Sequence, residues 1–309
     1  MGFFLETLFG GLMAGMLYAL IALGFVLIFK ASGVFNFAQG SMVLFAALAV
    51  ARFSQWIPQV LGVQGNAWTN ILALLLAIGA MVLLAWLIER FTLRHLVNQG
   101  GITLLMASLG VSYMMDGLSQ LIFSSGAYTI NMGMPKEPMI LFNDYFEGGI
   151  LVSSEDLYAA AIACLLVLGL SLFFQKTHTG RALRAVADDH QAALSVGIPL
   201  SRIWFIVWSI AGLLALVTGV IWGSKLGVQF SISLIALKAF PVVILGGLTS
   251  VAGAILGGLI IGSGEKLSEI YLGPMLGGGI ENWFAYVTAL VFLLVRPQGL
   301  FGDKIIDRV

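Results

Sequence analysis

Cysteine, histidine and charge are all scarce in this 309-residue chain, and each shortage removes a class of function. The one cysteine, Cys164, lies inside an apolar run, which excludes an intrachain disulfide. His95, His178 and His190 fall in polar connections without metal-ligand spacing, so no metal site is expected. The sequence has no P-loop, dinucleotide fingerprint, Ser–His–acid set, paired intramembrane aspartates or HExxH motif. An enzyme reading therefore has little to stand on. Fifteen Lys and Arg balance fifteen Asp and Glu, and a net charge of zero offers no basic surface to nucleic acid.

What is present is apolar sequence. The chain is 60% hydrophobic and 10% charged, where a soluble domain carries about 25% charged residues. Apolar stretches run over 7–29, 37–51, 67–88, 102–123, 156–175, 202–222, 235–247, 251–271 and 282–296. They predict an all-α, polytopic transmembrane bundle of about 8–10 passages, with residues 1–309 as a single transmembrane domain. The N-terminus has no basic region or small-residue cleavage site, so its first apolar run reads as a retained helix. Segments 37–51, 235–247 and 282–296 fall short of the roughly 20 residues that span a bilayer. They read as half-helices, tilted helices or re-entrant pieces, which are tolerated only where protein or a water-lined cavity shields loose backbone.

Orientation follows from Lys and Arg. With the 176–202 connection inside, Lys30, Arg90, Arg94, Lys176, Arg181, Arg184, Arg202, Arg296, Lys304 and Arg308 are internal, whereas Arg52, Lys136, Lys225, Lys238 and Lys266 fall outside or near the outer face. This arrangement puts the acidic 124–156 loop (Glu137, Asp144, Glu147, Glu155, Asp156) and the N-terminus outside. The spacings Gly11/Gly15, Gly253/Gly257 and Gly258/Gly262 favour close helix contacts.

Between two such apolar segments lies a charged stretch, 177–199. Residues Ala182 to Leu194 read as a helix, with Gly180 before it and Gly197-Ile198-Pro199 closing it. Arg181, Arg184, Asp188, Gln191 and Ser195 draw one polar stripe, while Leu183, Val186, Ala187, His190 and Leu194 line the opposite face. Such a helix suits a soluble partner, and the same periodicity suits a helix lying in the headgroups.

Three further constellations stand out. In the first, Asn36, Gln39 and Ser41 offer neutral donors and acceptors, and Gly33 and Gly40 permit a turn. That element either lines a solute path or is a loop with an N-cap at Asn36. In the second, Gly246 and Gly247 open a glycine-dense break after Pro241, either a gate hinge or a tight turn with close packing. In the third, Asp116 sits within an apolar run, where a carboxylate is costly and by default functional; alternatively Ser112 and Ser119 satisfy it, or it is protonated.

These residues resemble the permease subunits of branched-chain amino acid ABC importers, the LivH type within the hydrophobic amino acid uptake transporters. The marks are Tyr18-Ala-Leu-Ile-Ala-Leu-Gly24, Asn36-Phe-Ala-Gln-Gly40, Glu89-Arg90, and Gly180-Arg181-Ala-Leu-Arg184-Ala-Val-Ala-Asp188-Asp189 continuing through Ala192 and Ala193 to Gly197-Ile198. Leu245-Gly-Gly-Leu-Thr-Ser250 and Arg296-Pro-Gln-Gly-Leu-Phe-Gly302 complete them. The resemblance implies a multi-pass permease of the bacterial inner membrane whose 181–196 helix, through Gly180, Arg181, Arg184, Asp188, Asp189, Ala192 and Gly197, docks on a separate ATP-binding subunit. It implies a second permease, two ATPase subunits holding ATP and Mg, an extracytoplasmic solute-binding protein, and no cofactor in this chain. Solute would pass Asn36, Gln39, Gly40, Ser41, Asp116, Gly246 and Gly247. Family members commonly read Asn-Phe-Ala-His-Gly-Glu where this chain has Gln39 and Ser41, and Asp116 stands where a neutral residue is expected. Branched-chain amino acids are thus the first expectation, with urea, short amides or other amino acids as alternatives. The rival from another class is an ion-coupled carrier or channel that pairs Lys30 with Asp116.

Overall fold

The computed structural model describes residues 2–33, 35–96, 99–124, 126–131, 133, 135–141, 149–188 and 190–302. In chain order the elements are α1 (Gly2–Ser32), α2 (Gln39–Leu61), α3 (Ala67–Phe91), α4 (Gly101–Phe123), β1 (Pro138–Leu141), β2 (Ile150–Ser153), α5 (Ser154–Lys176), α6 (His178–Asp188), α7 (His190–Ser195), α8 (Leu200–Leu226), α9 (Ile235–Gly246), α10 (Val251–Leu276) and α11 (Phe284–Val295). Among the described residues seven helices are long and apolar enough to cross a membrane, namely α1, α2, α3 with its 3-10 extension, α4, α5, α8 and α10. Two shorter apolar helices, Phe230–Gly246 and Phe284–Val295, bring the total to nine. Large apolar side chains stay exposed along the outer helices, Leu121 at 83% and Val295 at 81% among them. In water such a surface would aggregate, whereas hydrocarbon solvates it.

The expected short segment 37–51 is corrected by α2, which runs through to Leu61. Arg52, Ser54 and Gln55 interrupt the hydropathy without interrupting the helix. The Ser54 hydroxyl donates to the Ala51 carbonyl at 2.8 Å, and Arg52 lies over the ring of Trp56 one turn on. Gly62, at φ +66°, ends the helix in the left-handed region that glycine enters without strain. The start of α3 is a capping box: Asn66 Oδ1 accepts from the Thr69 amide at 3.1 Å, and Thr69 Oγ1 accepts from the Asn66 amide at 2.9 Å.

The chain divides into two compact units. The first holds Met1–Val26, Gly133–Ser171 and Lys238–Val309; the second holds Leu27–Met132 and Leu172–Leu237. In the first, α1 and α10 cross antiparallel through glycine: a Cβ on Gly258 would fall 2.6 Å from the Gly15 carbonyl oxygen, and one on Gly11 would fall 2.6 Å from Ser263 Cα. The expected close contacts at these spacings are therefore present. The α9–α10 hairpin is as tight, with Gly257 against the Val242 carbonyl. From the acidic outer connection, β1 and β2 form an antiparallel pair in the register Pro138↔Ser153 to Leu141↔Ile150. The Ser154 hydroxyl, at the start of α5, donates to the Glu137 carbonyl. Asp144, Glu147, Lys304 and Arg308 lie outside the described residues.

In the second unit α2 is the central element, buried almost continuously from Gln39 to Ala51 and packed on α3, α4 and α8. It runs parallel to α4, since Ser41 near the start of α2 meets Ser112 midway along α4, and Phe53 meets Phe123 further along both.

Candidate functional site

The charged stretch turns helical directly after α5, and the reason is local. Thr177 breaks from α5: its Oγ1 donates to the Phe173 carbonyl at 2.7 Å and accepts from the Gly180 amide at 3.0 Å, so the hydroxyl caps the start of α6. Helix therefore begins at His178, and Gly180 lies within it rather than before it. Gly180 is pressed on α5, where a Cβ would fall 2.6 Å from Phe174 Cα. Asp189, between α6 and α7, lies outside the described residues, as does the side chain of His190.

Across both helices Arg181, Arg184, Asp188, Gln191 and Ser195 are exposed, as is Ala192. Leu183, Val186 and Ala193 are buried, and α6 and α7 pack on α8. Leu194, expected on the packed face, is 44% exposed. Ala193, one position earlier, is buried in its place. The Arg181 guanidinium lies 2.9 Å from His178 Nδ1. At the far end Gly197 adopts φ +84°, its amide bonding to the Leu194 carbonyl and that of Ile198 to Ala193, both at 3.0 Å. That pair of bonds is a Schellman motif, which fixes where the helix stops.

The second candidate lies along the seam between α2 and α4. Asn36 is buried, and its Oδ1 accepts from the Ala38 amide at 3.1 Å. It turns the chain but does not cap α2, whose N-cap position is Ala38. Gln39 is fully buried; its amide nitrogen donates to the Ala211 carbonyl at 3.4 Å, and its Oε1 has no partner. Gly40 sits against Ala236, whose Cβ would stand 3.3 Å from an added Cβ. Ser41 and Ser112 hydroxyls meet at 2.8 Å. One turn further along α4, Asp116 holds a buried, unpartnered Oδ1, and Ser119 a buried, unpartnered Oγ. The satisfaction of Asp116 by Ser112 and Ser119 is therefore not found, because Ser112 turns to Ser41 and Ser119 bonds to nothing. Nor do Lys30 and Asp116 form an ion pair. Gly246 and Gly247 form a tight turn: a Cβ on Gly247 would fall 2.6 Å from the Gly302 nitrogen.

A family model described as the permease component of branched-chain amino acid transport systems matches residues 7–296. The chain belongs to this family. It is 29% identical to the high-affinity branched-chain amino acid transport permease LivH of Salmonella typhimurium, covering 99% of this chain and 98% of that one. The corresponding LivH of Escherichia coli K12 is 28% identical, and BraD of Pseudomonas aeruginosa 27%, each over 99% of this chain and 98% of the relative. This permease is thus a multi-pass membrane protein of a transport complex.

One group in the permease escaped the sequence reading. Lys238, near the start of α9, reaches Glu265 of α10 at 2.8 Å, and Glu265 is 2% exposed. The Tyr18 hydroxyl of α1 hydrogen-bonds the same carboxylate. Lys266 pairs with Glu281 at 2.9 Å, and Glu269 accepts from the amides of Gly279 and Glu281 at 2.9 and 3.0 Å. The signal was available, since Glu265 and Lys266 lie in an apolar run as Asp116 does.

Proposed function

We propose that this permease is the membrane-spanning half of an ATP-driven importer for branched-chain or related hydrophobic amino acids in the bacterial plasma membrane. The chain is not itself the enzyme: ATP and Mg belong to two partner ATP-binding subunits, which work with a second, homologous permease and an extracytoplasmic solute-binding protein. The observation that carries the reading is the α6–α7 pair. Its charged stripe is exposed while its other face is anchored on α8; Thr177 caps its start, Gly180 presses it on α5, and Gly197 ends it. An anchored lever of this kind passes ATPase closure into α8 and the bundle.

Within this permease, solute moves inward along the α2–α4 seam past Ser119, Asp116, Ser41 and Gln39, with Asn36 and Gly40 shaping its inner end. Four buried polar side chains on one seam also support a second reading, a small polar solute such as urea or a short amide. Co-expression with the neighbouring gene products tests both. ATPase subunits that co-purify and are stimulated by leucine-loaded binding protein support the first reading. Stimulation by urea or acetamide alone supports the second, and no ATPase partner at all overturns the importer.

A further inference from the structure

Arg52 is the seam's unexplained charge. It lies in the outer half of α2, roughly 16 Å along the axis from Ser41 at 1.5 Å per residue. Its guanidinium carbon stands 4.8 Å from the ring centroid of Trp56 and 4.9 Å from that of Tyr128. One N–H group, on Nη1, donates to Gln55 Oε1 at 3.1 Å; Nε is buried and bonds to nothing. No carboxylate approaches it among the described residues.

Around this cation the protein has built a rigid aromatic wall. Phe123 packs on Phe45, Phe53 and Trp56 at centroid distances of 5.3, 6.0 and 6.0 Å. Tyr128 is fixed at both ends, by its hydroxyl on the Phe123 carbonyl at 2.8 Å and by a two-way backbone bridge to Val228. Arginine cannot shed its proton, so the charge persists whatever the surroundings. Ring faces attract the cation but accept none of its in-plane N–H bonds. The guanidinium is therefore held in place with most of its five donors unspent. A planar fork in that state matches a carboxylate, which it binds with two parallel bonds.

We infer that Arg52 is the specificity-determining contact for the carboxylate of the transported solute, met at the outer end of the α2–α4 seam. The inference rests on the amino acid reading above and sharpens it, because urea and simple amides have no carboxylate for this fork. Trp56, Tyr128 and Phe123 act as positioning residues. They hold the guanidinium in place and offer apolar surface to a hydrophobic side chain.

The test uses the whole complex in proteoliposomes, with leucine-loaded binding protein outside and ATP inside. R52Q removes the charge at similar volume, and R52K restores the charge without the planar fork. We expect R52Q to lower leucine uptake roughly tenfold or more, the scale of one charge-assisted hydrogen bond. R52K should recover a substantial part of it, and both variants should melt close to the parent. Wild-type uptake by R52Q would overturn the assignment. So would equal loss in R52Q and R52K with a clear drop in melting temperature, the signature of a structural fastener. A wild-type complex that carries urea or acetamide but not leucine would instead overturn the amino acid reading, visibly, before any variant is made.

Discussion

The amide of Leu300 donates to the carbonyl of Leu245 at 2.8 Å, and that of Phe301 follows on Gly246 at 3.1 Å. A helix ends with carbonyls that its own backbone cannot satisfy. For α9 two of them are taken by a segment beyond α11, so the glycine-rich turn after α9 and the Arg296–Gly302 motif are two halves of one cap. Gly299 is buried in the contact, where a Cβ would stand 2.7 Å from the Gly247 nitrogen.

Leu300→Pro tests the cap directly. It deletes the donor and leaves the Leu245 carbonyl unsatisfied, at a cost of about 1–3 kcal/mol. Leu300→Ala keeps the amide and should cost less. Melting of the purified permease in detergent should rank wild type and Leu300→Ala above Leu300→Pro; equal melting of the two variants would remove the cap's role.

Closeness of α1 and α10 gives a second expectation. Gly258→Leu must force backbone from backbone, since a Cβ there already falls 2.6 Å from the Gly15 oxygen. Overpacking of this kind costs about 1–3 kcal/mol and more where the obstacle is main chain. Gly10 has nothing within 4 Å of its Cβ position, so Gly10→Ala is the silent control. Thermal melts of the two variants check this.

These glycines show what the sequence made legible. Spacing alone announced close contacts at Gly11/Gly15 and Gly258/Gly262, though not that these two meet each other, because in lipid close approach requires small residues at helical intervals. Periodicity likewise announced the exposed stripe from Arg181 to Ser195. It did not announce the start at His178, because that depends on the Thr177 hydroxyl. Hydropathy failed at Arg52: a window reads a cation as the end of a membrane segment, whereas stacking on Trp56 lets α2 continue through it. Lys238 and Glu265 were missed for a related reason. They lie 27 positions apart, and only the α9–α10 hairpin brings them together.

That pair supports a third experiment. Lys238→Met leaves the Glu265 carboxylate buried without its cation, and breaking one side of a buried pair costs roughly 3–5 kcal/mol. The partial exposure of Lys238, 29%, places the expected loss at the low end. The double variant Lys238→Met with Glu265→Gln should recover most of it. A double-mutant cycle on melting free energies measures the coupling, and additive losses would show that the pair is decorative.

Arg184 and Asp188 are exposed on the stripe, one helical turn apart. Reversing both, Arg184→Glu with Asp188→Lys, leaves the packed face of Leu183 and Val186 intact, so the protein should reach the membrane in normal amount. ATPase stimulation by loaded binding protein should fall roughly tenfold, as for charge pairs lost from an interface. Undiminished transport in that variant would count against α6 as the docking surface.

Asp116 and Ser119 separate function from stability on one helix. Both hold a buried oxygen that bonds to nothing, so neither supports the fold by that atom. Replacing an unsatisfied buried polar group with an apolar one is neutral or stabilising. Ser119→Ala and Asp116→Leu should therefore melt at or above the wild-type temperature. If the α2–α4 seam carries solute, Asp116→Leu should also cut uptake, because the stored cost of that carboxylate is what a passing ammonium or amide relieves. Higher melting with reduced uptake is the expected signature. Higher melting with unchanged uptake would move the path away from this seam and leave Asp116 as a cost without a use.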